Sequence, residues 1–186
     1  MNVIKYLSRS TAPTLEDEHE WYDKVRGDTT RLIWGIWVID GNQRIIIGNT
    51  ELFDITRQHI HQATSGSMIF RQDYWRKGIA SAIHQARTWY AFEHMGLHRV
   101  MSAVIHGNIA SRKALEKSGY SLVYVERNTA FVDGGMHHQD NLAALNPRET
   151  FWMQWWQGDH PTKRCIAARE RTQSAIDWAK QHVKLT

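Results

Sequence analysis

Apolar positions along the chain fall into two periods. From Arg31 to Asp40 they fill both alternating sets, Leu32, Trp34, Ile36 and Val38 against Ile33, Trp37 and Ile39, which predicts a strand covered on both faces. Gly41-Asn42 makes a turn, and Arg44–Asp54 returns as the partner strand of a hairpin. Ala63–Phe70 and His98–His106 read as two further strands. Between them Ile79, Ile83, Ala86 and Tyr90 recur at helical spacing, which predicts a helix laying one apolar stripe against a sheet. Asn108 caps a second helix that Gly119 ends, and Tyr120–Phe131 with Met136–Leu145 form a last hairpin about Asp133-Gly134-Gly135. Upstream, Thr14-Leu15-Glu16-Asp17 reads as a capping box opening a helix, with Trp21, Tyr22 and Val25 as its apolar contacts before Gly27. Helices interleaved with hairpins predict an α/β class of fold with a mixed, mostly antiparallel sheet.

The stretch from Ser67 to Tyr90 carries the most chemistry. An apolar strand end, Met68-Ile69-Phe70, leads through a polar turn, Arg71–Lys77, into a helix opened by Gly78-Ile79-Ala80. Gly78 and Ala80 leave the first helical N–H groups bare, and a helix N-terminus attracts anions. Arg76 and Lys77 add positive charge suited to a diphosphate. Small residues at such a turn also serve close packing alone, so the cradle needs support from elsewhere.

That support lies downstream. Tyr74-Trp75-Arg76-Lys77-Gly78-Ile79-Ala80 resembles the acetyl-CoA pyrophosphate loop of the GNAT acyltransferase superfamily. Asn108-Ile109-Ala110-Ser111 through Glu116-Lys117-Ser118-Gly119-Tyr120 resembles its second motif. The resemblance spans Thr14 to Pro147 and is nearest to the branch that acetylates ribosomal-protein N-termini. It implies a sheet splayed near the cofactor and acetyl-CoA as cosubstrate. The residues it implies at the cofactor are Met68, Ile69, Phe70, Arg71, Trp75, Arg76, Lys77, Gly78, Ile79, Ala80, Ser81, Asn108 and Ser111. It further implies direct attack of an amine on the thioester, so Cys165 is not needed as a nucleophile. The acceptor is a protein N-terminus or a small amine such as an aminoglycoside, a polyamine or an amino sugar. A non-catalytic module that keeps the fold is the rival class.

Individual roles are less uniquely written. Asn108 reads equally as a cofactor contact and as a plain cap. By the resemblance, Ser111 hydrogen-bonds the CoA sulfur; by its position it is also a first-turn serine satisfying backbone. Relatives that use a tyrosine acid carry it where this chain has Leu115. Relatives that carry a glutamate on the strand before the phosphate turn have it where this chain reads Thr64-Ser65-Gly66-Ser67. The general base is therefore open among Glu51, His59 and His61, a neutral imidazole being suited to proton transfer near pH 7. His59, His61, His137 and His138 lack a carboxylate or cysteine at a spacing that completes a metal set, and no metal is expected.

Composition bounds the setting. The 186 residues, 42% hydrophobic and 23% charged, suit one substantial domain with no membrane-length apolar run. A net charge of +4 from scattered basic residues does not point to nucleic acid. A lone cysteine, Cys165, favours a reducing cytoplasm. Residues 148–186 form an extension beyond the 1–147 domain, with an aromatic patch of Phe151, Trp152, Trp155 and Trp156. Members of the family usually begin with a strand and a helix before the segment that Thr14–Val25 matches, and with only 13 residues preceding Thr14 we expect a strand and much of a helix to be missing. We therefore expect Thr150–Gln157 as a strand and Thr162–Val183 as a helix filling the place beside Arg31–Asp40. An arm that forms a homodimer is the favoured alternative.

Overall fold

The computed structural model describes residues 14–156 and 159–184. In chain order the elements are α1 (Leu15–Arg26), β1 (Leu32–Asp40), β2 (Gln43–Thr56), β3 (Gln62–Ile69), α2 (Ile79–Trp89), β4 (Arg99–Ile105), α3 (Ile109–Lys117), β5 (Ser121–Val132), β6 (Gly135–Leu145), α4 (Glu149–Trp152) and α5 (Lys163–His182). The six strands form one sheet in the order β1-β2-β3-β4-β6-β5. Only β3 and β4 run parallel; every other neighbouring pair is antiparallel. This is the mixed, mostly antiparallel α/β architecture expected from the alternation of periods.

Local chemistry explains several boundaries. Thr14 Oγ1 accepts from Asp17 N–H at 3.1 Å while Asp17 Oδ2 accepts from Thr14 N–H at 2.8 Å, a complete capping box. The β5–β6 hairpin turns through Asp133 and Gly134, both at positive φ (50° and 77°), the conformation that matches the twist of the strands. At the end of α3, Tyr120 N–H reaches back to Leu115 O and Gly119 N–H to Glu116 O, with Gly119 at φ +89°.

One face of the sheet carries the core. Leu52, Ala63, Val100, Val104, Leu142 and Ala144 pack there against Trp89 at the end of α2, Ala91 and Phe92 just after it, Leu115 of α3, and Ile176 and Ala179 of α5. The chain passes from α2 into a π-helical turn, Tyr90–His94, that keeps Ala91 and Phe92 directed inward.

Three expectations are corrected. The α2 stripe of Ile79, Ile83, Ala86 and Tyr90 is only half-buried; the buried face is His84, Gln85, Arg87, Thr88 and Trp89, so this helix meets the sheet with polar groups. Among the described residues β1 is an edge strand, with only Ile36 buried and Ile39 84% exposed, so the cover expected on both of its faces is not found there. α1 buries none of its residues.

Among its described residues the C-terminal segment supplies no strand, and Gln157, the last residue of the expected one, lies outside them. Residues Glu149–Trp152 are α-helical and Met153–Trp155 continue as a 3-10 turn, while β1 pairs with β2 alone among the described residues. The helix forecast was sound: α5 starts at a Thr162 cap and packs on α2, with lighter contact to α3 and β6. Trp152 is buried and Arg169 lies over its ring, at 4.9 Å from the centroid, while also bonding Pro147 O. Most of the demand of the extension for burial is thus met within the chain. The tightest point of α5 packing is Gly119, where a Cβ would stand 1.9 Å from Thr172 Oγ1 and 2.6 Å from Thr172 N. Gly119→Ala therefore combines a strained φ with overpacking and should cost about 2–4 kcal/mol. Thermal denaturation checks this: a Tm lower by roughly 5–15 °C is expected, and an unchanged Tm would mean the α3–α5 contact is not made.

Candidate active site

The sheet is open at one place. β3 and β4 pair through Gln62, Ala63 and Thr64 against Arg99, Val100 and Met101, and no further, although the strands run on to Ile69 and Ile105. Where the ladder stops, two serines take it over. Ser65 Oγ donates to Met101 O at 3.0 Å, and Ser102 Oγ donates to Ser65 O at 3.2 Å. Beyond them lies a cleft between two strand edges.

The alternation of strand hydrogen bonds tells which groups face it. Phe70 N–H donates to Ile47 O at 3.0 Å on β2, so Gly66, Met68 and Phe70 turn their backbone to β2, and Ser67 and Ile69 turn theirs to the cleft. On the other side Asn146 N–H meets His98 O and His106 N–H meets His138 O, so the even positions serve β6 and Ala103 and Ile105 face the cleft. Ile69 O is taken by the Trp75 indole N–H at 2.8 Å and Ile105 O by Asn108 N–H at 2.9 Å. The groups left are the N–H of Ser67, Ile69, Ala103 and Ile105 and the carbonyls of Ser67 and Ala103. Such a pattern suits an extended, amide-bearing chain laid between the strands. Of Met68, Ile69 and Phe70, only Ile69 offers its backbone, and Ser67 joins it.

At the mouth of the cleft stands the start of α2. Gly78 sits at φ +79°, and the first helical bond is Ala82 N–H to Gly78 O, leaving the amides of Ile79, Ala80 and Ser81 without helical partners. Arg71 is already committed to Asp73, by bonds of 2.9 and 3.1 Å that hold the Asp73 carboxyl below its ordinary range. Lys77 Nζ stands 4.9 Å from the Tyr74 ring centre, and Arg76 is exposed at φ +62°. Arg76 and Lys77 are thus the cations best placed for an anion on the bare amides.

The remaining candidates separate. Glu51 lies directly opposite Gly66 in the β2–β3 register, on the face away from α2. Arg31 Nη1 holds its Oε2 at 3.0 Å, while Oε1 stands 3.0 Å from where a Cβ on Gly66 would be. The missing side chain of Gly66 leaves room for this carboxylate over β3, beside the cleft. His61 is elsewhere: it precedes the closed end of β3, eight residues from Ile69 and so roughly 25 Å away along the strand, where it stacks on His98 at 4.7 Å. His98, pulled below its ordinary pKa by burial and then by His61, tilts on Phe151. His59 is exposed in the loop before His61. Neither histidine is brought to the cleft.

Asn108 Oδ1 accepts from Ser111 N–H at 3.3 Å, so its capping role is realised. Ser111 is half-buried in the first turn of α3, immediately after β4 leaves the cleft. Leu115, at the position where relatives have a tyrosine, is buried in the core. No group of three or more potential metal ligands is gathered among the described residues.

Two clusters escaped the sequence reading. Asp140, 2% exposed, binds His106 Nδ1 at 3.0 Å and Arg112 Nη1, joining the end of β4 to α3; burial opposes its charge, but His106 and Arg112 prevail and its pKa falls. Arg87 of α2, 3% exposed, reaches Thr50 Oγ1, Gly66 O and Ser67 Oγ through Nη1, each at 2.6 Å, and His84 Nδ1 at 2.7 Å through Nη2. Burial, then Arg87 itself, holds the His84 pKa well below its ordinary value, so its ring is neutral and Nδ1 accepts. Arg87, three residues after His84, was legible only as one more charge on a helix. A separate groove of about 420 Å³, lined by Glu116, Lys117, Tyr120, Ser121, Arg164 and Arg171, lies between the end of α3 and α5, away from the cleft.

Comparison with known proteins bears on the family and the fold. The profile of the acetyltransferase (GNAT) domain matches residues 1–121. The chain is 30% identical over 102 residues to a probable N-acetyltransferase, YjcK, of Bacillus subtilis, covering 55% of this chain and 56% of that protein. It is 29% identical over 118 residues to an uncharacterized N-acetyltransferase, YnaD, of the same organism, covering 63% and 65%. The chain thus spans less than two thirds of the length of these curated relatives. Among solved structures, the fold is similar to spermidine N-acetyltransferase from Vibrio cholerae in complex with CoA and spermine (TM-score 0.70, 19% identity, 77% of this chain and 82% of that one). It is also similar to ribosomal-protein-S5-alanine acetyltransferase from Vibrio fischeri (TM-score 0.67, 21% identity, 77% and 80%).

The cradle at α2 is directly testable. Gly78→Glu places a side chain and a negative charge at the bare amides and forces an unfavourable φ. Calorimetric titration with CoA should show binding lost while circular dichroism keeps the native spectrum; full affinity in this variant would remove the cradle from the site.

Proposed function

Because the chain belongs to the GNAT acetyltransferase family, we propose that it transfers the acetyl group of acetyl-CoA to a primary amine within a ternary complex. The observation that carries the reading is the cleft where β3 and β4 part, lined by unpaired amides and opening onto the bare start of α2. In this reading the diphosphate rests on the Ile79, Ala80 and Ser81 amides with Arg76 and Lys77, and the pantetheine amides extend between the edges of Ser67–Ile69 and Ala103–Ile105.

The amine approaches from the face that carries Glu51. Its nitrogen forms a bond to the thioester carbon, and the carbonyl π pair moves to oxygen, where a cleft amide receives it. Collapse breaks the C–S bond. Glu51 takes the proton of the amine through Oε1, directly or through one water. Ser111, at the start of α3, hydrogen-bonds the departing sulfur and passes it the hydroxyl proton, giving the CoA thiol; Ser111 regains a proton from solvent, to which Glu51 releases the one it took.

The acceptor in this proposal is a protein N-terminus. Its support is the openness of the acceptor face, where Ala103 stays exposed beside the cleft and α1 buries nothing among the described residues. A polyamine is the second reading, because a neighbour of the same fold was crystallised with spermine. Thiol release from acetyl-CoA, measured against N-terminal peptides and spermidine in parallel, separates them: turnover with peptides alone is expected, turnover with spermidine alone selects the second reading, and no turnover with any amine defeats both.

Two variants test the roles. Glu51→Gln should lower kcat about 10²- to 10⁴-fold with CoA affinity unchanged; a kcat within twofold would leave the base elsewhere. Ser111→Ala should lower kcat more than it weakens CoA binding, since a group acting on developing charge helps the transition state most; equal kcat would return Ser111 to backbone satisfaction alone.

A further inference from the structure

Arg87 is the buried group that the reaction as described does not use. Its guanidinium is 3% exposed, and its hydrogen-bond partners are the hydroxyls of Thr50, Ser67 and Tyr120, the Gly66 carbonyl and the uncharged His84 imidazole, with no carboxylate among them. Its Nε is buried without a partner among the described residues. Glu51, whose charge favours the cation, lies on the other face of the sheet and makes no hydrogen bond to it. A cation is seldom buried without an anion, and its position suggests what balances it.

The carbonyl that Arg87 binds belongs to the peptide unit joining Gly66 to Ser67. That carbonyl points to β2, so the N–H of the same unit, on Ser67, points the opposite way into the cleft. A cation on the carbonyl oxygen of a peptide withdraws electron density and makes its N–H a stronger donor, and hydrogen bonds in such a chain reinforce one another. Resting on the reading that acetyl-CoA occupies the cleft, we propose that Arg87 is a positioning residue for the transfer: it fixes and polarises the Gly66–Ser67 peptide so that the Ser67 N–H receives the developing oxyanion of the thioester. Negative charge then appears within one peptide unit of the buried cation, and only while the carbonyl carbon is tetrahedral. The device acts across a strand, from the core face to the cleft, and Arg87 itself touches no substrate.

The same peptide unit connects this role to the base. Gly66 lies opposite Glu51, so one residue gives its carbonyl to the cation and, by lacking a side chain, its upper surface to the carboxylate.

The test reads the carbonyl itself. Infrared difference spectra with acetyl-CoA carrying carbon-13 in the acetyl carbonyl should place the bound band of the wild-type protein at lower frequency than in water. Arg87→Met should move the band back toward the solution position and lower kcat about 10- to 100-fold, with CoA affinity changed much less. Arg87→Lys, which keeps the charge, should fall between the two. His84→Met removes the contact to Nη2 and leaves the bond to Gly66 O; it should lower Tm without moving the band, as a purely structural loss would. A band unmoved in Arg87→Met with acetyl-CoA bound overturns the proposal. If Arg87→Met does not fold, a wild-type band in Arg87→Lys with wild-type kcat overturns it equally. Failure of the wild-type protein to bind acetyl-CoA overturns the cleft reading beneath it, a result distinct from both.

Discussion

The position at which β3 and β4 cease to pair sets every other feature of the site. A parallel ladder that stops inside a sheet leaves backbone donors and acceptors bare, and each buried bare group costs about as much as a lost hydrogen bond. The hydroxyls of Ser65 and Ser102 bear that cost at the branch, each bonding a carbonyl on the opposite strand. They act as a stop in the ladder. Past them, separation is tolerable only because the cleft opens to solvent or to a ligand that brings its own amides. Larger apolar side chains at these two positions would leave Met101 O and Ser65 O without their hydroxyl donors.

Below the cleft the sheet is held by a polar clamp where an apolar contact would be ordinary. Thr50 and Ser67 join hydroxyl to hydroxyl at 2.8 Å across β2 and β3, and Arg87 grips both together with Gly66 O. Burying a guanidinium without a carboxylate costs several kcal/mol. Satisfied networks also fix geometry more sharply than apolar packing does. A strand with one edge unpaired is free to shift, and β3 is such a strand from Ser65 onward. The clamp pins it from beneath at the residues whose other face meets the Glu51 carboxylate.

How much of this was legible in the sequence follows from what periodicity can encode. The hairpins, the Thr14 box, the Asn108 cap and the Gly119 stop are local signals, and each matches an element within a residue or two. The turn before α2 was legible for the same reason: glycine and bare amides act where they stand. The buried face of α2 was not, because an apolar stripe at helical spacing was available and the helix rests on His84, Arg87 and Thr88 instead. His61 looked as good a base as Glu51 in one dimension, and only register separates them, since Glu51 faces Gly66 and His61 sits at the closed end of β3. Aromatic content misled at Phe151–Trp156, where the demand for burial was read as a strand, whereas a helical turn packing under Arg169 meets it.

The place of the Glu51 carboxylate shows how the proposed reaction can draw its base from a neighbouring strand. The strand that leads to the phosphate turn has no acid between Thr64 and Ser67, which in one dimension argues for a binding module. In the sheet, the neighbouring strand supplies the acid one residue-width away, and the glycine opposite is the condition for it. A Cβ on Gly66 would meet Glu51 Oε1 at 3.0 Å and Cγ at 3.3 Å, so a side chain on β3 would press on the carboxylate from β2 and force its flexible end to shift. The two arrangements compete for one volume over the strand. Arg31, fixing Oε2 at 3.0 Å, then does for Glu51 what the strand backbone would do for a shorter reach: it leaves one oxygen with one direction to face.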